Sequence, residues 1–252
     1  MALLKVLLLL GLGVSVNSDV SLQKRIIGGH NCDDTERLYH VRLEATNGTH
    51  KSLCGGSLIH PKWILTTDTC WKSPTRWSNI AMLGIHPKTT MKRFVNIKDK
   101  PVLCAPGCWQ HDIMLLKLER RVDNFPLAPL PDCSNRPKIG DTVQLAGEGT
   151  MTTGPNNRRY EISYAAAATY LQCVDMKVVQ ASHFLPTYGH VFAASAPNKD
   201  ACNGDYGSAV VFNGKIYGVM SPGVPDYACQ RPAYIVDVCE YIGWIKDTIG
   251  LE

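Results

Sequence analysis

The 252-residue chain has no internal repeat, no low-complexity tract and no coiled-coil heptad, which excludes solenoids, fibres and long rods. It also lacks a dominant charge. Lys and Arg number 26 against 22 Asp and Glu, a net of +4. Without residues 1–25, 23 basic and 21 acidic residues remain. Such a balance gives no support for nucleic-acid binding and leaves acidic and neutral partners equally open. Beyond Val14 no apolar run is long enough to cross a bilayer, so no membrane span is expected in the folded part.

Cysteine, in contrast, is abundant. Ten cysteines, an even number spread widely, read as a disulfide framework in an oxidising compartment. The N-terminus agrees with that compartment. Lys5 precedes an apolar and glycine run from Val6 to Val14, and Val16-Asn17-Ser18 offers small residues for cleavage. Residues 1–18 therefore read as a secretory signal peptide, with an uncleaved anchor as the alternative. Residues 19–25 end in Lys24-Arg25 and are followed by Ile26-Ile27-Gly28-Gly29. This reads as a short propeptide with a cut site after Arg25, or else as an exposed basic turn. The expected location is extracellular.

Short apolar runs recur between Gly, Pro and Asn clusters, among them Leu38–Leu43, Trp63–Thr66, Ile113–Leu118, Thr142–Ala146, Cys173–Val179 and Ile216–Met220. This spacing predicts an all-β sandwich or barrel pair. Pro126–Gly140, with four prolines, is the candidate linker between two halves. Val238, Ile242, Ile245 and Ile249 fall at helical spacing and predict one amphipathic terminal helix packed on the second half.

Five motifs are more specific. Ile26-Ile27-Gly28-Gly29, Cys54-Gly55-Gly56-Ser57-Leu58-Ile59, Trp63-Ile64-Leu65-Thr66, Asp112-Ile113-Met114-Leu115-Leu116 and Cys202-Asn203-Gly204-Asp205 occur in that order. Together they resemble the trypsin-like (chymotrypsin-family, peptidase S1) serine peptidases. The resemblance runs from Ile26 to the C-terminus, so residues 26–252 form the expected peptidase S1-like domain. It implies an all-β fold of two orthogonal antiparallel β-barrels with a cleft between them and a C-terminal α-helix.

The family pattern also implies the disulfides Cys32–Cys173, Cys54–Cys70, Cys133–Cys239 and Cys202–Cys229. Two familiar family pairs lose both partners together: Val143 and Phe212 stand at one, and Ser182 and Ala193 roughly at the other. The remaining cysteines lie in Cys104-Ala105-Pro106-Gly107-Cys108, where a tight turn favours a local Cys104–Cys108 bridge over a metal site.

Serine-peptidase chemistry needs a serine hydroxyl, a histidine that takes its proton and an aspartate that orients the histidine. The resemblance assigns these positions to Tyr206, Thr69 and Asp112, so no intact catalytic set is expected. Threonine has no basic nitrogen. A phenol ionises near pH 10 and is far bulkier than a serine hydroxyl. Losing nucleophile or base costs about six decades in rate, roughly 8 kcal/mol of barrier. Ser208 is the one alternative nucleophile, but it lies two residues along, toward the strand interior, which argues against it. Asp68, beside Thr69, is expected to point elsewhere.

Other family positions persist. Gly204 suits an oxyanion-type backbone donor. Asp205 matches the acid that captures the α-amino group of Ile26 after a cut at Arg25. Asp200 occupies the position that selects Lys and Arg, in an S1-like pocket with Ser221, Gly223 and Ala233. That pocket has drifted: Pro222, Ala233 and Glu148 replace two tryptophans and a glycine, and Cys229 lies about three residues late. Ile85 and Lys92 replace acidic calcium ligands. No metal and no cofactor is implied.

The segment His86–Lys100 carries Lys88, Lys92, Arg93, Lys98 and Lys100 against Asp99 alone. In related proteases the matching loop binds partners, so this segment is a candidate patch for an extracellular protein or a polyanion. The alternative is a solvated basic face. Asn47-Gly48-Thr49 is an N-glycosylation sequon. Arg158-Arg159 is a candidate nicking site.

The leading expectation is a secreted, monomeric, non-catalytic trypsin-fold homologue that acts as a binder or decoy. An endopeptidase of residual or altered activity, or an abundant structural or storage protein of body fluids, are the alternatives.

Overall fold

A computed structural model describes residues 26, 28–73, 75–104, 111–149, 170–201, 204–222 and 232–251. Arg25 and everything before it, Cys108, Arg158-Arg159, Cys202, Gly223 and Cys229 lie outside the described residues.

After the short β1 (His30–Asn31), the first half of the chain forms β2 (His40–Thr46), β3 (Lys51–His60) and β4 (Trp63–Thr66). β5 (Ser78–Leu83), β6 (Arg93–Ile97), β7 (Val102–Leu103) and β8 (Met114–Lys117) follow. In β2, Val41, Leu43 and Ala45 are buried while Arg42, Glu44 and Thr46 are half-exposed, the two-residue period of a strand with one face on a core. These strands join antiparallel in the order β6-β5-β2-β3-β4-β8-β7. The two ends, β6 and β7, do not pair with each other among the described residues, so this half is an open half-barrel rather than a second closed barrel. β6 and β7 are consecutive and joined by residues 98–101, and β7 has only two residues to offer a closing ladder.

The second half contains β9 (Thr142–Gly147), β10 (Gln172–Leu185), β11 (Gly189–Ser195), β12 (Ala209–Phe212), β13 (Lys215–Met220) and β14 (Ala233–Asp237). These six strands close into a barrel. Closure falls to β10, which pairs β9 through Gln172–Lys177 and β11 through Lys177–Leu185. Register shifts between Val178 and Gln180, and between Gln180 and His183, bend it between its two partners. In this register Ala193 faces Gln180, not Ser182. Val143 and Phe212 pack in one apolar cluster, so carbon contacts occupy the place of that missing family disulfide.

Residues 119–141 connect the halves, but not as a loose linker. The Ala128 N–H donates to the Leu58 carbonyl (2.8 Å) on β3, and the Ile216 N–H on β13 donates to the Pro129 carbonyl (3.0 Å). The Tyr217 hydroxyl donates to the Asp132 carbonyl (2.6 Å). Cys133 is bridged to Cys239, Cys32 to Cys173, and Cys54 to Cys70. Cys104 is also disulfide-bonded.

Asp237 accepts from the Cys239 N–H (3.0 Å) and starts a 3-10 turn over Val238–Tyr241. That turn leads into α1 (Ile242–Ile249), which Gly250 ends in the left-handed conformation with φ of 75°. The helix does not rest on the second half alone. Ile245 and Ile249 share a cluster with Leu65, Ile113 and Leu115 of the first half and Val236 of the second.

Candidate functional site

Asp112 precedes β8, and its backbone N–H donates to the Tyr188 carbonyl (3.1 Å), which fixes the segment against the second barrel. The carboxylate is 3% exposed. Its Oδ1 accepts from the Thr69 backbone N–H (3.0 Å), and its Oδ2 accepts from the Ser221 hydroxyl (2.5 Å). No cation among the described residues forms an ion pair with it. Burial pushes its pKa up, the bonds from Ser221 and Thr69 oppose that rise, and the Asp68 charge adds to it. Burial raises the pKa of Asp68 as well.

Thr69 sits in a 3-10 turn over Asp68–Cys70, exposed, with its hydroxyl donating to Thr67 Oγ1 (3.4 Å). A threonine hydroxyl here can donate and accept hydrogen bonds but cannot store a proton near neutrality.

Tyr206 lies in the turn between β11 and β12. Gly204 and Gly207 flank it with φ of 99° and 82°. The Tyr206 carbonyl accepts from the Gly55 N–H (2.7 Å) on β3. Its half-buried side chain packs against the core of the first half, so it crosses between the halves. Gly207 has no room for a side chain: a Cβ there would lie 2.2 Å from Thr66 Oγ1 and 2.3 Å from the Gly55 carbonyl. Ser208 is fully buried and its hydroxyl has no partner among the described residues. A Cβ on Gly55 would lie 1.7 Å from Ser208 Oγ. Enclosed in this way, as its place toward the strand interior implies, Ser208 is unsuited to attack a substrate.

Asp205 and Ile26 are both fully buried. Asp205 Oδ1 accepts from the Gly149 N–H (2.6 Å). An ion pair with Ile26 requires a free α-amino group, which only a cut before Ile26 supplies. Of the S1-like residues, Asp200 is 2% and Ser221 5% exposed, while Ala233 is half-buried. The Ser221 N–H donates to the Tyr234 carbonyl (3.1 Å), which places Ser221 beside the start of β14.

One group escaped the reading of the sequence. Glu148, at a position where the family pattern has tryptophan, is 3% exposed and joins the two halves. Arg42 grips it in fork geometry, Nε on Oε2 (2.9 Å) and Nη2 on Oε1, and His40 Nε2 lies 3.4 Å from Oε2. Burial alone would raise the Glu148 pKa. The hydrogen bonds from His40 and Arg42, with their charges, win and hold it at about 2. No local pattern announces a pair 106 residues apart.

All five cations of the 86–100 segment are exposed. They do not form one compact cluster. Arg93 opens the edge strand β6 and Lys98 follows its last residue, about 17 Å away at the rise of a β-strand. Lys98 pairs with Glu119 (3.5 Å), and Lys88 Nζ lies 3.8 Å from the centroid of the Tyr170 ring. Exposed Met91 and Phe94 flank Lys92 and Arg93. Asn47 is exposed at the β2–β3 hairpin tip, its Oδ1 accepting from the N–H groups of Thr49 (3.1 Å) and His50 (2.7 Å).

The Trypsin family profile matches residues 26–245. Serine protease 1 of Rattus norvegicus is 31% identical, over 97% of this chain and 98% of that protein. A snake venom serine protease homolog of Bothrops jararacussu is 30% identical over 89% of this chain and 87% of its own length. Neuropsin, a serine protease of mouse brain, superposes with a TM-score of 0.69 over 89% of this chain and all of that one, at 22% identity. That likeness is one of fold. With motif order, barrel topology and profile in agreement, the chain belongs to the trypsin family of serine proteases.

Proposed function

We propose that this family member is secreted and works by binding an extracellular partner rather than by cutting peptides. The carrying observation is the surrounding of Asp112. The acid keeps two hydrogen-bond donors, but the side chain beside it is a threonine and the turn after Asp205 presents a phenol. An acyl transfer needs a nucleophile with an adjacent base; a threonine side chain offers no base, and a phenol ionises only near pH 10. Oxyanion and binding effects alone leave about 10³-fold over water, far below a working peptidase.

The rest of the reading follows from that loss. Residues 1–18 direct secretion, residues 19–25 are a propeptide, and Asn47 carries a glycan. The binding face includes Lys92 and Arg93, with Met91 and Phe94 beside them, and its partner is a protein or polyanion with acidic groups. The S1-like pocket around Asp200 is inherited. The names of the relatives favour the hydrolytic alternative.

An active-site phosphonate probe separates the two readings. Purified, processed protein is expected to take no label and to hydrolyse no Arg or Lys amide. Stoichiometric labelling, or turnover at an ordinary protease rate, would overturn the proposal.

A further inference from the structure

In the trypsin family the resemblance makes a new chain end at Ile26 the partner of Asp205, so a cut would order the turn that follows. The contacts around Asp205 include an anchor that needs no cut. Gly149 holds the Asp205 carboxylate through its N–H. Gly147 lies so close that a Cβ there would sit 2.0 Å from Asp205 Oδ1. Between these glycines stands Glu148, fixed by the Arg42 fork and by His40. Both cations belong to β2, which pairs along its length with β3 and β5. The segment 147–149 is therefore tied to the body of the first half.

The turn beyond Asp205 is fastened from both halves. The Asp205 carbonyl accepts from the Ser208 N–H (3.1 Å), the Gly207 N–H donates to the Met220 carbonyl (2.8 Å), and Tyr206 meets Gly55 on β3. Ile26, meanwhile, is already fully buried in the second-half core beside Val143, Leu145 and Ala201, in a chain that continues upstream of it.

We propose that the Arg42–Glu148–His40 clamp fixes the Asp205–Ser208 turn without needing a chain end at Ile26, so the turn has one conformation before and after cleavage at Arg25. The clamp positions Gly149, and Gly149 positions Asp205. Glu148 touches no substrate in this scheme; it is a positioning residue. The inference holds whether or not the cleft retains hydrolytic activity.

Hydrogen exchange read by mass spectrometry tests this on peptides covering residues 143–149 and 204–210. The full chain carrying Arg25→Gln, which stays uncut, is compared with wild-type protein cut after Arg25 and verified by N-terminal sequencing. Exchange in both peptides is expected to agree within threefold between the two forms. Glu148→Gln in the uncut background is expected to speed exchange in both peptides at least tenfold, while β11 and β13 are unchanged. Should Glu148→Gln fail to fold, Arg42→Lys keeps the charge, loses the fork and is expected to act in the same direction. Protection that rises tenfold on cutting would overturn the proposal. So would a clamp variant that exchanges like the parent. A labelled phosphonate adduct in any of these proteins would sink the binding proposal and leave this one untouched.

Discussion

The Ser221 hydroxyl donates a 2.5 Å hydrogen bond to Asp112 Oδ2, and with the Thr69 N–H on Oδ1 it satisfies a buried carboxylate that forms no ion pair among the described residues. Two neutral donors soften the burial of a charge, but they do not replace an opposite charge.

Asp112→Asn is therefore expected to be tolerated. A carboxyl whose folded-state pKa lies above its unfolded value holds its proton longer in the native protein. Its contribution is present below about pH 4, the unfolded value, and is lost as pH rises through the raised folded value. The asparagine oxygen can accept from the Thr69 N–H while its amide NH2 donates to the Ser221 oxygen, with no charge buried. Urea unfolding at pH 7 should show equal stability or a gain on the order of 1 kcal/mol, with a flatter profile above pH 4. A loss of 2 kcal/mol or more would contradict this account of the site.

Restoring the reactive pair tests what remains of the cleft. Thr69→His with Tyr206→Ser should bring measurable hydrolysis of Arg or Lys p-nitroanilides, while each single change should leave the protein inert. Non-additivity is expected because nucleophile and base act as a unit. A silent double variant that folds normally would show that the pocket around Asp200 no longer admits a basic side chain.

Lys92→Glu with Arg93→Glu should weaken heparin binding by roughly 1–2 kcal/mol, about tenfold in Kd, with the gap narrowing as salt rises. Lys98→Glu, whose parent side chain already pairs with Glu119, should matter less. Unchanged affinity in the double variant would remove the patch from the binding face.

Gly207→Ala should cost at least about 2 kcal/mol of stability, from a φ of 82° and from contacts near 2.2 Å with Thr66 and Gly55. Thermal unfolding measures it. A change under 0.5 kcal/mol would mean that the turn shifts freely and does not hold Tyr206 in place.

The sequence made the frame readable because its signals are local or ordered along the chain. Alternation in β2, the helical spacing of Ile242, Ile245 and Ile249, and the five motifs each sit within a few residues. That the first half stays an open half-barrel was not readable, since it depends on how few residues β7 supplies to a ladder. Asp112 announced itself through its motif, and its bonds to Thr69 and Ser221 are what that position requires. Glu148 did not. Its partners lie on another strand in the other half, and only folding brings them within reach. The basic segment read as one patch because its cations are close in sequence, yet strand extension separates Arg93 from Lys98.

Cys32 lies ahead of β2, and its bond to Cys173 on β10 reaches past the whole first half. Scission of the backbone anywhere from Glu119 to Pro131 would consequently release no fragment. Such a molecule would migrate as one band until a reductant split it into two.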